Sequence, residues 1–214
     1  MKLKKELPLL IIVILPFIYL AYIWNDLPKK VPIHWNGEGE IDGYGDKVSL
    51  ILIPILLSLL TYVILTLIPI IDPKGKIKNM GEKYESIKFI LIFFMSFLAL
   101  FILYSSHSQT ITNPNILFIL IGFLFVFLGN YMKTIKPNYF IGIRTPWTLE
   151  NETVWKRTHK LAGIMWFLAG IIIIILSLIL GKRLNRILFI VITLIISIVP
   201  IIYSYIQFKK QEIS

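Results

Sequence analysis

Six apolar runs, each near the roughly 20 residues that cross a ~30 Å hydrocarbon layer as an α-helix, constrain this chain more than any other feature. They fall at about residues 7–25, 49–71, 87–106, 115–132, 161–180 and 187–206. Runs such as Ile171 to Ile175 are β-branched and would suit a strand in water. Their length and lack of alternation override that preference, because a lipid-immersed helix satisfies its own backbone. Charged residues make up only 16% of the 214 residues, against roughly 25% in soluble domains. The expected fold is an all-α polytopic membrane bundle of six transmembrane helices. The first run follows Lys2, Lys4 and Lys5 as a signal peptide would. No small-residue cleavage site follows it, so it is expected to be a retained helix.

The formal net charge of +10 would suggest nucleic acid in a soluble protein. Here Lys and Arg sit between apolar runs, so orientation and contact with anionic lipid heads explain them, and no direct nucleic-acid contact is expected. Sixteen of the 22 fall on the side that carries the N-terminus, the 72–86 loop with Lys88, the 131–160 loop and the C-terminal tail. The positive-inside rule therefore predicts cytoplasmic termini, an external 26–48 loop and a cytoplasmic 131–160 loop. Lys182, Arg183 and Arg186 lie on the external side of this scheme and are its weak point.

The spans carry no acid, base or histidine deep in their interiors, which disfavours ion-coupled transport. A small-molecule or peptide transporter remains the alternative reading. Pro16, Pro54, Pro69 and Pro200 are expected to kink or end helices. Gly122 and Gly129, seven residues apart, permit close helix packing without requiring it. His34, His107 and His159 are scattered, no hydrolase or nucleotide-binding motif occurs, and cysteine is absent. No enzyme activity, cofactor or metal site is expected.

Two loops are long enough for specific chemistry. The outer one, VPIHWNGEGEIDGYGDK at 31–47, holds four glycines and four acids. Val31 to Asn36 alternates as a short strand does, Asn36-Gly37 is a turn signal, and Gly39, Gly43 and Gly45 are expected to supply positive-φ positions. Trp24, Trp35 and Tyr44 suit the membrane interface. The result is a small hairpin-like cap between the first two helices. It is either a folded connector or a recognition surface whose acids meet a cationic ligand. On the second reading the candidate contact residues are His34, Trp35, Asn36, Asp42 and Tyr44.

In the inner loop, Arg144-Thr145-Pro146-Trp147 reads as a turn. Thr148 or Asn151 can cap a helix with Glu150 and Glu152 in its first turn, and Glu152 can pair with Lys156. Trp155, His159, Ala162 or Gly163, and Trp166 fall on one face. This segment is either an amphipathic run-in anchored by tryptophans or a docking site for a cytoplasmic partner. The candidate docking residues are Arg144, Thr145, Pro146, Trp147, Trp155 and His159.

The run Gly142-Ile-Arg-Thr-Pro-Trp-Thr-Leu, with Asn151, Val154-Trp155, Thr158-His159 and Gly163, resembles the signature of the SdpI family of bacterial immunity proteins. Pro32-Ile-His-Trp-Asn with Gly39, Asp42, Gly43, Gly45 and Lys47 resembles a domain of unknown function found at the N-terminus of such proteins. The chain would then divide into an N-terminal helix pair, 1–71, and a four-helix region, 72–214. The resemblance implies a bacterial plasma-membrane protein that protects a cell from a secreted, membrane-active toxin peptide. It also implies a second role, holding a transcriptional repressor at the membrane when toxin is present.

Overall fold

The computed structural model describes residues 2–110 and 113–212. In chain order these form α1 (Lys2–Ile23), β1 (Lys30–Trp35), β2 (Ile41–Asp46), a 3-10 turn (Lys47–Ile51), a π-helical segment (Pro54–Leu59) and α2 (Leu60–Ile71). After them come a 3-10 turn (Lys78–Met80), α3 (Glu82–Ser108), α4 (Asn115–Met132), α5 (Pro146–Glu150), α6 (Glu152–Ile179) and α7 (Lys182–Glu212). Among the described residues, six stretches are long and apolar enough to cross a membrane: Glu6–Ile23, Lys47–Ile71, Glu82–Ser108, Asn115–Met132, Glu152–Ile179 and Lys182–Gln211. Their outward surfaces are Ile, Leu, Val and Phe, as burial against lipid requires.

Of the four prolines expected to kink or end helices, three do not end theirs. α1, α2 and α7 run continuously through Pro16, Pro69 and Pro200. Pro54 does change the second span: it opens a π-helical turn, at whose end the Leu60 N–H reaches back to Ile55 O. Proline has no N–H to give, so a break in the regular ladder is least costly there.

Two compact units emerge. The first comprises Met1–Leu67 with Lys88–Pro114, the second Ile68–Ile87 with Asn115–Ser214. In the first unit, Leu20 and Ile23 of α1, Leu27, Val31 of β1, Leu50 and Leu103 of α3 form a buried cluster with Tyr19, Trp24 and Ile53 at its margin. This core seats the hairpin on the helices. Away from it, Lys88 of α3 donates to both carboxylate oxygens of Glu6 at 2.9 and 3.1 Å. Tyr62 donates its hydroxyl to the same carboxylate at 3.2 Å and lies under the Lys88 ammonium. Lys88 stands near the start of the third apolar run, where its only signal in the sequence is a lone charge.

In the second unit, α4 and α6 pack through four glycines. A Cβ built on Gly129 would stand 2.4 Å from Phe167 N and 2.8 Å from Gly163 O, and one on Gly170 would stand 2.5 Å from Gly122 O. The seven-residue spacing of Gly122 and Gly129 on α4 is answered by Gly163 and Gly170 on α6, so the backbones meet directly. A buried polar knot joins the ends of three helices. Asn185 donates to Asn115 Oδ1 at 3.0 Å, and Asn115 donates to the Ser177 and Leu180 carbonyls at 3.1 Å each.

Three local expectations are corrected. Of the hairpin glycines predicted at positive φ, Gly39 has it (φ 82°), whereas Gly43 and Gly45 do not. Those two instead allow close approach: a Cβ would meet His34 Cβ at 2.9 Å and Ile33 Cδ1 at 2.8 Å respectively. The Arg144–Trp147 turn continues as the short helix α5, because Pro146 at its first position needs no N–H partner. Thr145 and Thr148 form the capping box of α5, and Asn151 alone caps α6. Glu150 therefore ends α5 rather than opening α6.

Candidate functional site

In the hairpin, β1 and β2 pair antiparallel from Lys30↔Asp46 to Trp35↔Ile41, with irregularities between Pro32 and His34 and between His34 and Trp35. The turn is built by Asn36. Its Oδ1 accepts from the Glu38 and Glu40 amides at 2.9 and 3.0 Å, and its Nδ2 donates to Glu40 Oε2 at 3.0 Å. An asparagine side chain mimicking a turn peptide is the reason this residue suits the position.

His34 Nδ1 contacts Asp42 Oδ1 across the strands, and both side chains are largely exposed. Asp42, Tyr44 and Asp46 alternate on the exposed face of β2. Trp35 is half-buried, and its indole N–H has no hydrogen-bond partner. Four of the five outer candidates, His34, Trp35, Asn36 and Asp42, thus cluster at the turn end, and Tyr44 follows along β2. Lys47 binds the hairpin back to α1: its ammonium donates to the Trp24 carbonyl at 3.2 Å and lies 4.8 Å from that ring's centroid.

The inner loop is a locked structure around His159. Gly142 adopts φ 106° directly beneath that ring, where a Cβ would stand 2.4 Å from His159 Nε2. The Ile143 N–H donates to Nε2 at 3.0 Å, while Nδ1 lies 2.9 Å from the Trp155 carbonyl. A carbonyl only accepts and an amide N–H only donates, so this pair of contacts specifies the neutral tautomer protonated at Nδ1. Trp155 stacks on His159 at 4.0 Å and donates to the Ile135 carbonyl at 2.7 Å. Asn138 folds the approach: its Oδ1 accepts from the Phe140 and Ile141 amides, and its Nδ2 donates to the Lys136 and Ile141 carbonyls.

Trp147 donates to Ser204 Oγ of α7 and meets Tyr205 edge-on at 5.4 Å. Arg144 donates to the Tyr139 carbonyl, and Arg157 to Gln207 at 2.7 Å. Lys156 and Glu152 form the expected i,i+4 pair at 2.9 Å.

Trp155 and His159 are fully buried. A partner touching this loop would meet exposed Arg144 and Pro146 and the open part of Trp147, whereas Trp155 and His159 hold the surface from below. Sequence reasoning missed Asn138 and Ser204, whose roles depend on what folding brings beside them. Among the described residues, no group of three His, Cys, Asp or Glu side chains is placed to hold a metal ion.

The SdpI/YfhL protein family matches residues 134–204, which span the inner loop, α6 and most of α7. A domain of unknown function, DUF1648, matches residues 11–57, from within α1 through the hairpin into the π-helical segment. The immunity protein SdpI of Bacillus subtilis (strain 168) is 30% identical over 209 residues, 97% of each chain. No solved structure matches. A match of that extent, with six membrane-length helices and the His159-centred loop inside the matched region, makes this chain a multi-pass membrane protein belonging to the SdpI family.

Proposed function

We propose that this protein is an immunity protein of the bacterial plasma membrane, protecting the cell from a secreted peptide toxin that acts on the membrane. The observation that carries the reading is the 30% identity, over 97% of both chains, to an immunity protein. In this reading the termini lie in the cytoplasm and the hairpin faces outward, as the distribution of Lys and Arg favours. The hairpin is then the surface that meets the toxin, through His34, Trp35, Asn36, Asp42 and Tyr44. Its rigid Asn36 turn and its seat on a buried core support this, because a preformed surface loses less entropy on binding.

A toxin-sensitive bacterial host expressing this chain tests the reading when challenged with membrane-active peptide toxins. Survival above the vector control is expected for at least one of them. Growth inhibition identical to the control by every toxin, with the protein at normal level in the membrane, would exclude immunity. Among protected strains, His34→Ala, Trp35→Ala and Asp42→Asn should weaken survival.

The inner loop supports a second step, recruitment of a cytoplasmic repressor by Arg144, Thr145, Pro146 and Trp147. A fluorescent repressor should move to the membrane on toxin exposure and stay cytosolic with Arg144→Glu. An unchanged distribution in wild-type cells rules recruitment out.

A further inference from the structure

A two-stranded ribbon has two open edges, and in this hairpin they differ. The Lys47 N–H donates to Lys29 O at the foot of the ribbon. Pairs alternate along an antiparallel ladder, so Lys30↔Asp46 and Pro32↔Tyr44 are the non-hydrogen-bonded positions. Pro32 agrees, having no N–H to give. At these positions the backbone groups point away from the partner strand.

On β1 the outward edge is closed. Pro32 offers no donor, and its carbonyl accepts from buried Ser106 Oγ of α3 at 2.9 Å. On β2 the outward carbonyl of Asp46 accepts from Ser49 Oγ at 2.7 Å. The outward N–H groups of Tyr44 and Asp46 and the Tyr44 carbonyl meet no other hydrogen-bonding group among the described residues.

Charge selects what can join this edge. Residues 30–46 carry four acids against one lysine, a formal −3 on a chain of net +10. Asp42 and Asp46 bracket Tyr44 on one exposed face of β2. Asp46 lies 3.5 Å from the exposed Lys30 ammonium and Asp42 contacts His34; both pairs are open to solvent, so an incoming cation can share these carboxylates. A second copy of β2 added antiparallel would set carboxylates opposite carboxylates, which is unfavourable, whereas cationic side chains at alternate positions would be drawn in.

We propose that the free edge of β2 is a strand-docking site, at which an extended peptide with Lys or Arg at alternate positions adds as a third strand. Backbone bonds to Tyr44 and Asp46 hold that strand, and Asp42 and Asp46 select its charge. This rests on the hairpin being the toxin-facing surface and specifies how a peptide toxin is held there.

The test uses the full-length protein in nanodiscs and a short synthetic peptide alternating Lys and Val. Tyr44→Pro removes one outward N–H without touching a ladder bond, and should weaken binding about tenfold, the scale of one lost hydrogen bond. Pro32→Ala instead restores an outward N–H on the closed edge, away from Asp42 and Asp46, and should bind as wild type does. Methylating alternate backbone nitrogens of the peptide should abolish binding in one register and spare it in the other, a readout that needs no protein variant. A Glu-Val peptide should not bind. Failure of the Lys-Val peptide to bind, equal binding by Tyr44→Pro, or indifference to methylation register overturns the strand-docking site. If cells are protected while these results come out negative, the docking mode is wrong and immunity stands. If no toxin is resisted, the immunity reading itself has failed.

Discussion

Lys88 Nζ lies 2.9 Å from Glu6 Oε1, joining two helices across 82 residues of sequence. The two partners are unequally buried: the Lys88 side chain is 3% exposed and that of Glu6 is 29% exposed. Removing one partner of a buried pair strands the other, and the cost depends on which is left. Glu6→Ala strands a buried ammonium and should cost about 3 kcal/mol, the low end for breaking a buried pair. Lys88→Met leaves a carboxylate that still reaches water and the Tyr62 hydroxyl, and should cost about 1 kcal/mol. Thermal unfolding in detergent micelles measures both, and equal losses would contradict the asymmetry.

The glycine contact between α4 and α6 predicts a position-specific response to added bulk. Gly129→Leu would place Cβ 2.4 Å from the Phe167 backbone nitrogen, which cannot yield as a side-chain tip would. The helices must separate, for a loss of about 3 kcal/mol or more. Gly181→Ala meets nothing within 4 Å and should change stability by less than about 0.5 kcal/mol. Melting temperatures of the two variants provide the comparison.

His159→Phe keeps an aromatic ring against Trp155 but takes away the acceptor for the Ile143 N–H. An orphaned buried amide costs about 1–3 kcal/mol. The loss should appear locally, as faster hydrogen exchange at residues 142–145. Protection equal to wild type would show that the loop is held by other contacts.

Asn151 accepts from the Thr153 and Val154 amides at 2.9 and 3.1 Å and donates to Gln211 Oε1 at 2.5 Å. Asn151→Ala should cost about 1–2 kcal/mol as a lost cap. Asn151→Asp keeps the cap and should recover most of that amount. Chemical denaturation in mild detergent distinguishes the two.

The sequence by itself determined how many apolar spans there are and roughly where each lies, because about 20 apolar residues in lipid have no other economical state. The helices run up to nine residues past those limits, as α6 does in starting at Glu152. It also determined the strand at Val31, the Asn36 turn and the Glu152–Lys156 pair, all of which rest on neighbours within a few residues. Which helix faces which was decided only in the tertiary structure. Lipid tails are as apolar as leucine, so a span looks much the same whether a given face meets lipid or protein. The pairing of Gly129 with Gly163, the meeting of Glu6 with Lys88 and the enclosure of His159 by Trp155, Gly142 and Ile143 depend on close approach between distant segments. For the same reason Trp155 and His159, legible as members of one helix face, could be assigned to the interior rather than to a docking surface only when the loop folded over them.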